Sequence, residues 1–271
     1  MNDLALWQAA IMGLLQGLTE FLPVSSSAHL SLAPWVFGWP APGLAFDVAL
    51  HVGTLAAVAW YFRAEWIALA RASVRVVMRG GRPTDEHEWR VVLIVLGTIP
   101  AAIGGVLLND YAERVFRAPA LTASALIVMG ALLWFVDRSA PAQRALGTLR
   151  VRDALLIGLA QVAALVPGVS RSGATITAGR ALGATRDTAA VFSFLLALPI
   201  TAAAAVVKVP EAIAESASLA PLVVGVIAAG LSGWFAIAVL LRMVRTRGFG
   251  VFAWYRLALG IAILGLVASR A

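Results

Sequence analysis

Pro23-Val24-Ser25-Ser26-Ser27 and Pro167-Gly168-Val169-Ser170-Arg171-Ser172 each interrupt an apolar run, residues 4–22 and 154–166, that would otherwise read as a membrane span. A helix facing lipid cannot tolerate such a break, because the freed N–H and C=O groups would find no water in hydrocarbon. Broken helices are stable where protein or a watery cavity surrounds them. Both stretches are therefore read as re-entrant, discontinuous helices. Six further apolar segments, at 45–62, 91–108, 119–136, 189–207, 219–241 and 251–268, are long enough to approach or exceed a bilayer crossing.

Composition agrees. Hydrophobic residues make up 61% of the 271 and charged residues only 13%, too few to cover a soluble core of this size. The net charge of +7 does not call for nucleic acid, because Lys and Arg gather in the cytoplasmic loops of membrane proteins. Lys208 is the only lysine, and cysteine is absent, which excludes disulfides, thiolate metal sites and cysteine nucleophiles. No basic region or cleavage site marks residues 1–22 as a removable signal.

Charge also sets the orientation. Residues 63–90 carry Arg63, Arg71, Arg75, Arg79, Arg82 and Arg90 and are placed in the cytoplasm as a loop. The segments 137–153 and 242–247, with Arg138, Arg144, Arg150 and Arg152, and Arg242, Arg245 and Arg247, go to the same side, as does 180–188 with Arg180 and Arg186. The loop 208–218, with Glu211 and Glu215, goes outside. By this count residues 154–179 enter and leave from the cytoplasm, and the basic-free residues 1–44 lie at the outer face. The two halves share a pattern at an offset of 145: Gly13-Leu14 with Gly158-Leu159, Gln16 with Gln161, Ser25 with Ser170 and Ser27 with Ser172. The expected fold is an all-α polytopic membrane protein, a single domain over 1–271. It has six full transmembrane helices plus two re-entrant helical hairpins, in an inverted-topology repeat of 1–138 and 150–271. Such repeats build polar sites where broken helices meet near the midplane.

Ionisable residues inside a bilayer are costly and are functional candidates by default. Gln16 and Glu20 are one helical turn apart and share a face, and an amide oxygen with a carboxylate suits a hard divalent cation. His29 lies three residues past Ser26, a spacing that lets an imidazole approach a hydroxyl nucleophile. Arg171 offers two-pronged donation to phosphate. Gly168 and Gly173 beside it would let backbone N–H groups approach an anion, with a following helix N-terminus adding its positive end. The bland alternatives are a buried polar contact for Glu20, a satisfied histidine for His29 and an interfacial arginine for Arg171. Asp47 reads as an interfacial cap or second pocket carboxylate, His51 as structural or pocket-lining, and His87 as a solvated loop residue. Arg256 reads as an interfacial anchor, and Trp60, Trp89 and Trp254 as aromatic-belt residues.

The pattern Gln16-x-x-x-Glu20-Phe21-Leu22-Pro23-Val24-Ser25-Ser26-Ser27-x-His29, with Pro167-Gly168-x-Ser170-Arg171-Ser172-Gly173-Ala174-Thr175 and Phe192–Pro199, resembles the bacterial undecaprenyl-diphosphatases of the bacitracin-resistance type. The resemblance covers essentially the whole chain. It implies hydrolysis of undecaprenyl diphosphate to the monophosphate carrier lipid and inorganic phosphate for cell-wall synthesis, with a divalent cation (Mg2+ or Ca2+). It implies residence in the bacterial inner membrane, with the pocket open to the outer face. Glu20, Ser26, His29 and Arg171 match the family's key positions, and position 16, Gln here, shares the metal with Glu20. The expected reaction is attack of Ser26, activated by His29, on the terminal phosphorus, or attack of water activated by His29. Ser25, Ser27, Ser170, Ser172, Thr175, Gly168 and Gly173 would line the phosphates. A polyprenyl diphosphate and membrane lipid are the expected partners, and a homodimer is among the arrangements admitted. The second reading is a lipid flippase or transporter with alternating access, because inverted repeats with broken helices favour it.

Overall fold

A computed structural model describes residues 4–40, 42–115, 118–215 and 218–270. Of the expected outer loop 208–218, residues 208–215 are helical, which corrects the loop reading, and 216–217 lie outside the described residues, as do residues 1–3 of the N-terminal reading. Among the described residues the chain forms α-helices α1 (Leu6–Phe21), α2 (Ser26–Phe37), α3 (Leu44–Tyr61), α4 (Arg63–Met78), α5 (Glu86–Val115), α6 (Pro119–Ser139), α7 (Val151–Val162), α8 (Arg171–Ala181), α9 (Arg186–Glu215), α10 (Leu219–Thr246) and α11 (Gly250–Arg270), with no β-strand. Five are long and apolar enough to cross a membrane: Glu86–Leu108, Pro119–Ser139, Arg186–Pro210, Leu219–Thr246 and Gly250–Arg270. The segment expected at 45–62 forms the shorter apolar helix Phe46–Tyr61.

Proline sets both breaks. Leu22, before Pro23, and Val166, before Pro167, are both extended, because the proline ring disfavours helical backbone in the residue ahead of it. The chain then re-enters a helix through Ser25 and Ser170, each at positive φ (76° and 73°). Each serine hydroxyl caps the helix that follows, accepting from Ala28 N at 3.3 Å and from Gly173 N at 3.0 Å. Positive φ costs a non-glycine residue on the order of 1–3 kcal/mol, so the surroundings hold these serines there.

The 63–90 loop is a correction. Its first part is α4, which buries Leu69 and Ala72 and turns its arginines outward. Arg75 and Arg79 donate to the buried Glu88 at 2.7 and 2.9 Å, and Arg90 joins Glu65 and Glu86. Apolar residues at helical spacing outweigh the arginine count between them. His87 belongs to the first turn of α5, not to the loop before it.

Packing brings distant elements together. α1 lies along α10, α7 along α5, α3 against α9 and α10, and α6 along α11. Backbones touch where these helices cross: a Cβ on Gly13 would stand 2.2 Å from Gly225 O, one on Gly53 2.1 Å from Val226 O, and one on Gly158 2.3 Å from Gly97 O. Phe21, Val24, Leu133, Ile176, Phe194, Ile237 and Leu240 pack as a buried cluster beside the breaks. The periphery is apolar and exposed, for example Val106, Leu231 and Ile261, the pattern expected of a surface facing lipid.

Candidate active site

The last turn of α1 and the first turns of α2 and α8 converge on one carboxylate. Gln16 and Glu20, a turn apart, are both buried, and Gln16 Nε2 donates to Glu20 Oε2 at 3.0 Å. Ser26, the first residue of α2, donates its hydroxyl to the same oxygen at 2.5 Å. Arg171, the first residue of α8, donates through Nη2 to Glu20 Oε1 at 2.8 Å. His51 Nε2 approaches Oε2 to 3.5 Å from α3. The positive ends of two helices thus meet around one negative group, the arrangement that favours an anion.

Two polar atoms in this cluster have no partner. Arg171 Nη1 and Gln16 Oε1 are both buried without a hydrogen bond. A buried unsatisfied polar atom costs roughly 1–3 kcal/mol, so a donor and an acceptor left open on two residues that share the Glu20 carboxylate point to a ligand that supplies both. Glu20 and Arg171 also border a cleft too narrow for a water molecule, walled by Thr54, Leu55, Val58, Ala197 and Thr201 of α3 and α9.

Several expected contacts are rearranged. His29 does not bond Ser26: its Nδ1 lies 2.7 Å from Ser25 O and its Nε2 2.7 Å from Tyr255 Oη. A carbonyl can only accept, so Nδ1 carries the proton, and a neutral imidazole then accepts the Tyr255 hydroxyl at Nε2. The three-residue spacing brings His29 near Ser26 in sequence, but α2 turns its ring toward α11. Thr175 is buried and bonded to Arg171 O and Ser193 Oγ at 2.8 and 2.6 Å. Ser172 donates to the carbonyls of Glu20 and Leu22, both at 3.1 Å, and so stitches the second break to the first. Ser170 caps α8 and Ser25 caps α2. The amides of Gly168 and Gly173 are already taken, by Ser25 Oγ at 3.2 Å and by Ser170 Oγ. Both glycines admit close neighbours instead: a Cβ would stand 2.3 Å from Thr122 O at Gly168 and 2.6 Å from Arg256 Nη1 at Gly173. Ser27 is exposed at the start of α2 and contacts Ser25 at 3.2 Å.

Arg256 is the largest correction. It is not an interfacial anchor but fully buried, with Nη1 donating to Pro23 O at 3.0 Å and Nη2 to Gly168 O and Val169 O at 2.7 and 2.9 Å. One guanidinium pins both breaks to each other. An arginine inside the apolar run 251–268 meets the same intramembrane criterion that singled out Glu20, so the signal was present. His51 stands beside Glu20, at 3.5 Å from its Oε2. Tyr255 carried no signal, since a tyrosine near a span end reads as belt.

Comparison with known proteins follows the same lines. The family model described as bacitracin resistance protein BacA matches residues 9–262. The chain is 54% identical to an undecaprenyl-diphosphatase of Gemmatimonas aurantiaca, over 98% of this chain and 100% of that protein. It is 47% identical to the undecaprenyl-diphosphatases of Pelotomaculum thermopropionicum, over 98% of both chains, and of Geobacter sulfurreducens, over 97% of this chain and 98% of that one.

Proposed function

The chain belongs to the bacitracin resistance protein BacA family, and on that premise we propose that it hydrolyses undecaprenyl diphosphate to undecaprenyl phosphate and inorganic phosphate at the Glu20 cluster. It is a membrane-embedded phosphatase. The observation that carries the site is the meeting of Ser26 and Arg171, from opposite halves of the sequence, on one buried carboxylate with Arg171 Nη1 left open.

Arg171 is oriented by Glu20 through one nitrogen and offers the other to a phosphate oxygen, a fit for its planar fork. Ser26 attacks the terminal phosphorus. A bond forms from Ser26 Oγ to phosphorus as the bridging P–O bond breaks and undecaprenyl phosphate leaves; water then releases phosphate and restores the serine. Transition states of this kind are loose, so positioning and charge matter more than a strong base. The serine proton already points at Glu20 Oε2, which makes Glu20 rather than His29 its first acceptor. His29 holds the Ser25 carbonyl and with it the strained turn that aims Ser26.

Among the described residues no group of three or more His, Asp and Glu forms a metal cluster. The unpartnered Gln16 Oε1 beside Glu20 nevertheless fits a hard cation that keeps several waters. Glu20 and Gln16 would hold it, and its charge would offset that of the diphosphate.

The membrane arrangement is six spans with two half-inserted hairpins. α1, α2, α7 and α8 have 16, 12, 12 and 11 residues, so none reaches the roughly 30 Å of hydrocarbon at 1.5 Å per residue. The halves 1–138 and 150–271 are inverted repeats, supported by the paired crossings of α1 on α10 and α7 on α5, and the pocket opens outward from the inner membrane.

Phosphate release from undecaprenyl diphosphate by purified protein in detergent tests this reading. Release should be lost with a chelator and restored by Mg2+ or Ca2+, and Arg171→Ala should lower kcat by about 10^2–10^3-fold, the usual scale for losing a charge-stabilising donor. Near-normal turnover in both Ser26→Ala and Arg171→Ala would remove the cluster from the reaction.

A further inference from the structure

At the opposite end of α8 from Arg171, some 16 Å along an 11-residue helix, the molecule carries a second polar cleft. α6 and α10 end here and α9 and α11 begin, leaving an open space of about 530 Å3 lined by Trp134, Arg138, Arg186, Arg247, Val251 and Trp254. Its floor is Asp137, which is buried and fully engaged. Asp137 Oδ1 accepts from Arg180 Nε at 3.1 Å and Arg186 Nε at 2.8 Å, and Oδ2 accepts from Phe249 N at 3.0 Å. Among the described residues, the one carboxylate lining the cleft is therefore already neutralised.

The arginines above it are not. Among the described residues neither Arg138 nor Arg247 pairs with a carboxylate, and both are exposed. The Arg138 guanidinium sits over the Trp134 ring, 5.1 Å from its centroid, and Trp134 meets Trp254 edge-on at 6.4 Å. The first turn of α11 opens onto the same space through Gly250 and Val251, adding amides that a helix start leaves without intrahelical acceptors. The wall beyond is apolar and exposed: Val251, Trp254 and Phe135 all lie more than half open. Positive charge and amides at one end, with tryptophans and an apolar wall leading away, match a lipid carrying an anionic headgroup. They do not match a free anion or a soluble partner, neither of which would use the wall.

We propose that this cleft binds the phosphate of an anionic glycerophospholipid from the leaflet next to the arginine-rich loops. Arg138 and Arg247 take the headgroup, and Trp134, Val251 and Trp254 pack on the glycerol and upper acyl chain. Each arginine near an anionic headgroup contributes roughly fivefold, so preference for phosphatidylglycerol over phosphatidylcholine should be about 25-fold.

Native mass spectrometry of the delipidated protein, titrated with each lipid and with inorganic phosphate, tests this. One phosphatidylglycerol should be retained with that preference. Arg138→Gln combined with Arg247→Gln should erase it, while phosphate release from undecaprenyl diphosphate stays at the wild-type rate. Should the double variant lose turnover, Val251→Glu, which sets a carboxylate in the cleft without touching either arginine, decides by the same loss of preference. Unchanged preference in these variants would overturn the proposal, and so would inorganic phosphate displacing the lipid at equal concentration.

Discussion

Arg171 and Arg256 show how differently two buried guanidinium groups can be used. Arg171 keeps one nitrogen without a partner, whereas Arg256 spends its donors on backbone carbonyls of both breaks and on Leu126 O at 3.4 Å. Arg171→Lys keeps the charge but cannot hold Glu20 and a phosphate through a planar fork. It should lower kcat/KM by at least ~10-fold in the phosphate-release assay without changing thermal stability. Arg256→Met should do the reverse in kind, orphaning several buried carbonyls and costing at least ~3 kcal/mol, seen as a lower melting temperature in detergent and poor recovery of folded protein. A stable, active Arg256→Met protein would contradict its role as the pin. Tyr255 separates two views of His29. If the phenol merely blocks a base, Tyr255→Phe should raise turnover; if it steadies the imidazole that holds the Ser25 turn, turnover should fall by about fivefold, roughly one hydrogen bond. The fall is the expected outcome.

At the level of helices, sequence made the breaks legible and left their stitching hidden. Pro23 and Pro167 in apolar runs, with serines at matched positions, suffice to place two discontinuous hairpins, because proline's effect on the residue before it is local. Which hydroxyl faces a ligand and which one caps a helix depends on rotation about the axes, and no spacing rule carries that. Thr175, Ser170 and Ser172, read from the sequence as phosphate ligands, each have internal hydrogen-bond partners that no spacing predicts. The missed α4 has a similar cause, since its apolar face is visible only once arginines are allowed on a helix. Gly13 and Gly158, by contrast, are matched in sequence and matched in use, each set against a partner backbone. Alanine at either should cost roughly 1–3 kcal/mol by overpacking. Gly265→Ala in α11, where a Cβ meets nothing within 4 Å, should be neutral or slightly stabilising because alanine is the better helix former. Melting temperatures of the three variants decide. Equal tolerance at all three positions would mean that the two crossings are not close-packed.

On the scale of the whole molecule, the arrangement we propose has the two hairpins entering from opposite leaflets, so that Ser26 and Arg171 would reach Glu20 from opposite directions without either helix crossing fully. Charge bias supports that arrangement: arginines crowd the ends at 79–90, 138–152 and 242–247, while residues 4–44 hold none. The absence of cysteine makes a direct test available without background labelling. Arg82→Cys and Ser139→Cys, both at exposed positions, should react with a membrane-impermeant maleimide only after the cytoplasmic face is opened. Pro42→Cys, between the first hairpin and α3, should react in intact spheroplasts. The first two report where α4–α5 and α6 end, and the third reports that the α1–α2 hairpin returns to the face it entered. Labelling of Pro42→Cys from the cytoplasmic side would mean that α1 and α2 together cross the bilayer. The two breaks would then approach from one leaflet, and the shared carboxylate would have to be reached in some other way.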